Sequence, residues 1–243
     1  MVAGIDFALI WKSLPELFHG LTVTINLTLL TVLGGILLSL PLGIARASRH
    51  RALSAPIWAY TYFFRGTPML IQLFLIYYGL SQFKEIRASA LWPILREPYW
   101  CCLLAFTLNT AAYTTEIVAG AIRNVPLGET EAARAVGMSP FTILRRVTLP
   151  IALRILFPAY TNEVIFILQS TSLASLVTVM DLTGVARVII ARTFSPYELF
   201  VTIGLVYLAL TYGTLWLMQR VEHRLYRHLK GREPELPEGP VIR

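Results

Sequence analysis

Residues 21–45 read LTVTINLTLLTVLGGILLSLPLGIA, with no charged side chain anywhere in the run. A helix needs roughly 20 predominantly apolar residues to cross bilayer hydrocarbon, where every backbone polar group has to be bonded inside its own segment. This stretch therefore predicts a spanning helix. Similar runs follow at 55–79, 99–122, 151–177 and 196–219, so five spans are expected. The second contains Arg65-Gly66-Thr67-Pro68, the third carries Glu116, the fourth Glu163, and the fifth is uncharged after Glu198. The predicted fold class is an all-α integral membrane domain over 1–230, with a loosely attached tail at 231–243 rich in Pro and Glu.

Composition agrees. The chain is 56% hydrophobic and 14% charged, with a mean hydropathy of +0.62, too apolar for an ordinary soluble domain. A net charge of +7 could suggest nucleic acid, but the basic residues sit at the ends of the apolar runs and form no continuous face. They fit anionic lipid and membrane orientation instead. If the N-terminus lies outside, 14 Lys and Arg fall on the inner side and six on the outer, with Arg65 inside a span. Positive flanks are retained in the cytoplasm, so this asymmetry predicts N-out, C-in. The first twenty residues lack the basic start of a cleavable leader, and the run after them is too long for one. Cys101 and Cys102, adjacent within a span, supply neither a disulfide framework nor a metal site. His19, His50, His223 and His228 all lie outside the spans, which argues against an integral membrane enzyme.

Between the third and fourth spans, 124–150 is polar, with alternating acids and bases and a helix-compatible centre at 129–136. One or two short helices at the membrane surface are expected. The segment contains Glu131-Ala132-Ala133, then Gly137, then Val147-Thr148-Leu149-Pro150. It resembles the EAA loop of ABC importer permeases, with Val147 in place of Ile as the one conservative departure. Ala132, Ala133 and Ala135 add little bulk, so such a helix can enter a partner's groove closely, and Gly137 can end or bend it. The resemblance implies that this helix docks on an ATP-binding subunit. No Gly-x-x-x-x-Gly-Lys-Ser/Thr sequence occurs, so ATP and Mg are expected on that partner, with no cofactor on this chain.

A charge at bilayer depth costs about 2.5–3.5 kcal/mol on insertion scales, so Arg65, Glu116 and Glu163 are expected to line a wet cavity or to pair with one another. Asn109, Thr110, Tyr113 and Glu116 follow an i, i+1, i+4, i+7 pattern along one helical face. Asn162, Glu163, Gln169, Ser170 and Ser172 form a second polar stripe, and Pro158 is expected to loosen the helix a turn before it. The break at Gly66-Thr67-Pro68 frees backbone N–H groups that could hold a carboxylate. The candidate substrate pathway is thus Arg65, Gly66, Thr67, Asn109, Tyr113, Glu116, Asn162, Glu163, Gln169, Ser170 and Ser172. Any of these amides and hydroxyls could instead simply join helices.

From Trp11 to about Lys230 the chain is similar to polar amino-acid ABC permeases, most of all the M-type subunits of histidine/lysine/arginine/ornithine systems. The segments that carry this are 64–68, 108–116, 161–165 and 169–173. The resemblance implies a type I importer in the bacterial inner membrane. Its expected partners are a second, related permease, a dimer of ATPase subunits and an external binding protein. Basic amino acids are the expected substrates, with octopine- or nopaline-type opines as the alternative and an ion-coupled secondary transporter as a remote one. A carboxylate at Glu163 suits a guanidinium or ammonium side chain.

Overall fold

Asp6 starts the first helix by accepting the Leu9 N–H at 3.0 Å, which satisfies one of the donors a helix N-terminus leaves free. The computed structural model describes residues 6–48 and 50–226. Helix α1 runs from Phe7 to Ala47, beginning well before the apolar run at Leu21. Lys12 and Glu16 face out while Ser13, Leu17 and Gly20 are buried against other elements.

The chain continues through α2 (Arg51–Gly66), α3 (Met69–Phe74), a π turn at Leu75–Gly79 and a 3₁₀ turn at Leu80–Gln82. Short helices α4 (Lys84–Arg87) and α5 (Trp92–Leu95) lead to α6 (Pro98–Arg123). Then come α7 (Leu127–Ala135), α8 (Pro140–Ile143), a π turn at Leu144–Thr148, α9 (Leu149–Ser170), a 3₁₀ segment at Thr171–Val177, α10 (Leu182–Thr193) and α11 (Pro196–Tyr226).

Among the described residues, four helical stretches are long and apolar enough to cross a membrane: α1, α6, Pro140–Val177 and Pro196–Arg224. The run at 55–79 is no single helix, because Thr67 and Pro68 are extended and split it into α2 and a shorter apolar piece. Pro158 does not interrupt α9. The irregular turns lie at its two ends instead, and the π turn before Pro150 widens the backbone where the proline ring would meet the preceding turn. The tail at 231–243 lies outside the described residues.

Helix α6 is central and packs against α1, α2, α3 and α9. Its contact with α1 rests on glycine. A Cβ added at Gly35 would sit 2.5 Å from Thr110 Cγ2, and one at Gly43 2.5 Å from Val118 Cγ1. The paired positions rise together along both helices, so the two run parallel. Leu27, Leu73, Phe106 and Ile167 fill the core where α1, α3, α6 and α9 meet.

Helix α10, which the sequence pattern did not indicate, is capped by Asp181. The carboxylate accepts the N–H groups of Gly184 and Thr183 at 2.9 and 3.2 Å and the Tyr207 hydroxyl of α11 at 3.3 Å. The Leu182 N–H donates to Thr24 of α1 at 3.1 Å, so α10 is tied to both neighbours.

Candidate functional site

A helix leaves its last four carbonyls without intrahelical donors, and the stop at Gly66 leaves them at the level of the apolar core. Side chains supply the missing donors. The Thr67 hydroxyl donates to Phe63 O at 2.9 Å. The Gln72 amide donates to Phe64 O at 2.7 Å, Thr67 O at 3.0 Å and Thr67 Oγ1 at 2.7 Å. Asn109 Nδ2 donates to Gln72 Oε1 at 2.8 Å and reaches Phe64 O at 3.4 Å, and the Tyr113 hydroxyl reaches Arg65 O at 3.4 Å. The break is therefore held by a network from α3 and α6.

The face of α6 carrying Asn109, Tyr113 and Glu116 is real, and it is the face packed on α2 and α3. Asn109 meets Gln72, the Tyr113 ring lies 5.3 Å under the Arg65 guanidinium, and Glu116 accepts from Thr61 at 2.7 Å. Among the described residues Arg65 makes no ion pair; the cation–π contact is its partner. Glu116 pairs instead with Arg46 of α1, Nε to Oε1 at 2.7 Å. Arg46 also donates to Ser54 Oγ, and its backbone carbonyl accepts from Arg123. This mostly buried cluster joins α1, α2 and α6 at one end of the bundle.

Glu116→Gln keeps the size and removes the charge from that junction. A hydrogen bond to a charged group contributes about 1.5–3 kcal/mol, so a lower midpoint of thermal unfolding in detergent is expected. The exchange Arg46→Glu with Glu116→Arg should recover part of it. An unchanged midpoint in the single variant would show that the pair holds nothing.

The polar stripe on α9 divides between two faces. Asn162 and Gln169 are exposed together with Phe166, whose ring stands 6.4 Å from that of Tyr113. Arg65, Tyr113, Phe166, Asn162 and Gln169 thus form one open face. Glu163 and Ser170 stand about 100° round the helix from that face and are buried, while Ser172 is half-buried and bonds Gln169 O. The Glu163 carboxylate lies beside Thr110 at the junction of α1, α6 and α9, and its Oε1 has no hydrogen-bond partner among the described residues.

On the loop, α7 ends in a Schellman turn. Gly137 takes a φ of +81°, its N–H donates to Arg134 O at 2.9 Å, and the Met138 N–H donates to Ala133 O at 3.1 Å. Glu131 and Ala132 are exposed, whereas Ala133 is buried against its own chain. Leu127, Val136 and Phe141 are each more than 70% exposed on this segment.

Gln72 and Arg46 hold this region together and were missed by the sequence reading. A lone amide in the apolar run MLIQLFLIYY was a usable signal for Gln72. Nothing in the sequence separated Arg46 from the other flanking arginines.

Residues 21–227 match the family described as binding-protein-dependent transport system inner membrane component. The chain belongs to that family. It is 45% identical to the nopaline transport system permease protein NocM of Agrobacterium fabrum, over 93% of this chain and 95% of the relative. It is 46% identical to the histidine/lysine/arginine/ornithine transport system permease protein HisM of Escherichia coli, over 88% and 90%. Among solved structures, a chain of an amino acid ABC transporter with histidines superposes with a TM-score of 0.81 at 31% identity, covering 90% of this chain and 99% of that one. A chain of the MetNI methionine ABC transporter, at 20% identity and a TM-score of 0.73, shares the fold. The protein is thus an ABC importer permease subunit, a membrane component and not itself a catalytic one.

Proposed function

We propose that this subunit passes basic amino acids across the bacterial cytoplasmic membrane, together with a second related permease, two ATPase subunits that bind ATP and Mg, and an external binding protein. Its pathway is the open face of Arg65, Tyr113, Asn162, Phe166 and Gln169, with the backbone of Gly66 and Thr67 beside it. The observation that carries this reading is Arg65 itself, an exposed guanidinium at the level of the apolar core that makes no ion pair among the described residues. Lipid cannot solvate it, so that face belongs to a wet cavity or to a second permease. The pieces 51–66 and 69–82 together make the fifth crossing, with the N-terminus outside and the C-terminus inside. Exposed Leu127, Val136 and Phe141 support docking of the ATPase on the loop.

Uptake of radiolabelled arginine by vesicles holding the whole system tests the substrate. Competition by lysine, ornithine and histidine, with uptake persisting under an uncoupler while ATP is present, is the expected result. The identity to the nopaline permease favours a second reading, opine import, and strong competition by nopaline with none by lysine would select it. For the topology, a reporter at the N-terminus should be active only outside the cytoplasm and one at the C-terminus only inside. Activity of both on one side would remove the five-span reading.

A further inference from the structure

The carboxamide of Gln72 bonds both sides of the helix break. From α3 it donates back to Phe64 O in α2 and to both oxygens of Thr67 within the break, while Asn109 of α6 fixes its own oxygen. Gln72 is 3% exposed and Asn109 2%, so neither can touch a ligand in this arrangement. Ordinary interhelical glue joins two helices side to side and contributes about 0.6 kcal/mol on average in membranes. Here the acceptors are orphaned backbone groups flanking Arg65, and leaving such a group unmade costs about 1–3 kcal/mol. The amide pair therefore sets the backbone of residues 64–67, and with it the place of the Arg65 guanidinium over Tyr113.

We infer that Gln72, held by Asn109, is a positioning residue for transport that acts through Arg65. This rests on the reading that Arg65 lines the pathway. Without the amide, the extended Thr67-Pro68 link is free to swing and carries Arg65 with it. Since Gln72 works only through Arg65, removing both should cost no more than removing either.

The test compares Arg65→Gln, Gln72→Met and the double variant in the complete transporter at matched membrane levels, reading Vmax/KM for radiolabelled arginine. Each single change is expected to lower it about tenfold, and the double change no further. A multiplied loss near a hundredfold, or a normal Gln72→Met, overturns the positioning role while leaving Arg65 in the pathway. A normal Arg65→Gln removes the pathway reading and this inference with it. A second measurement needs neither arginine as substrate nor a stable Gln72 variant. Gly66 has open space where a Cβ would stand, so Gly66→Cys can report on the break through its rate of labelling by a small methanethiosulfonate reagent. Cys101 and Cys102 are fully buried and give little background. Adding Asn109→Leu should change that rate at least severalfold, and an unchanged rate overturns the inference.

Discussion

Phe141→Asp or Val136→Asp is expected to leave the chain in the membrane at normal level while stripping it of its ATPase and abolishing uptake. Both side chains are more than 70% exposed on a segment that also exposes Glu129, Glu131, Arg134, Arg145 and Arg146, and neither serves the chain's own core. Large apolar groups left uncovered on a loop proposed to meet the ATPase suit a protein contact. An aspartate placed there must be desolvated without a partner, and central interface positions contribute about 2 kcal/mol or more, roughly thirtyfold in affinity. Gly137→Val should act on the same contact by another route. A β-branched residue is an outlier at a φ of +81°, so the Schellman turn is lost and the end of α7 is redirected. Open space surrounds the Gly137 Cβ position, so the effect comes from the backbone and not from a clash within the chain. Ala133 behaves differently from its neighbours: it is buried against its own chain, and a bulky residue there displaces α7 instead of blocking a partner. Co-purification of the ATPase with tagged permease reads all of these. Full retention with full uptake in the Phe141 and Val136 variants would place the docking surface elsewhere.

The apolar runs made the helical membrane fold legible because hydrocarbon imposes its rule residue by residue. The spacing from Glu131 to Pro150 marked the loop because a helix, a left-handed turn and a proline have to fall in order there. Partnership was less legible. The i, i+1, i+4, i+7 pattern placed Asn109, Thr110, Tyr113 and Glu116 on one face, but Thr110 turns to Gly35 of α1, and which helix the other three meet depends on the α1–α6 packing that Gly35 and Gly43 allow. Arg46 was one flanking charge among many until the fold set it beside Glu116. Helix α10 escaped notice because a capping aspartate and close contacts to α1 and α11 specify it more than any periodic pattern does. The α9 stripe looked single because a list of polar residues ignores rotation: seven residues return to the same face, so Asn162 pairs with Gln169 and Glu163 with Ser170, and the one-residue step between the pairs turns them apart by about 100°.

Glu163→Gln is expected to lower uptake of cationic amino acids about ten- to a hundredfold while sparing a neutral one and leaving the fold as stable as before, or more so. The carboxylate is 7% exposed, packed where α1, α6 and α9 meet, with Oε1 unpartnered among the described residues. A buried oxygen left without a partner calls for an explanation, and a role in binding is one. An importer alternates between conformations, and a turn of α9 that brought Glu163 to the face of Tyr113 and Phe166 would offer its charge to a guanidinium or ammonium. Such a charge-assisted bond contributes about 1.5–3 kcal/mol, which sets the size of the selective loss. The stability arm separates this reading from architecture. Removing one partner of a buried ion pair costs about 3–5 kcal/mol, but among the described residues no basic side chain lies within ion-pair distance of Glu163, and Gln can keep the contact with Thr110 while relieving the burial of a charge. Thermal unfolding in detergent and uptake of arginine and of a neutral amino acid, at matched subunit levels, decide between them. An equal fall for both substrates, or a lowered unfolding midpoint, would make Glu163 a structural residue and leave cation selection to the open face around Arg65.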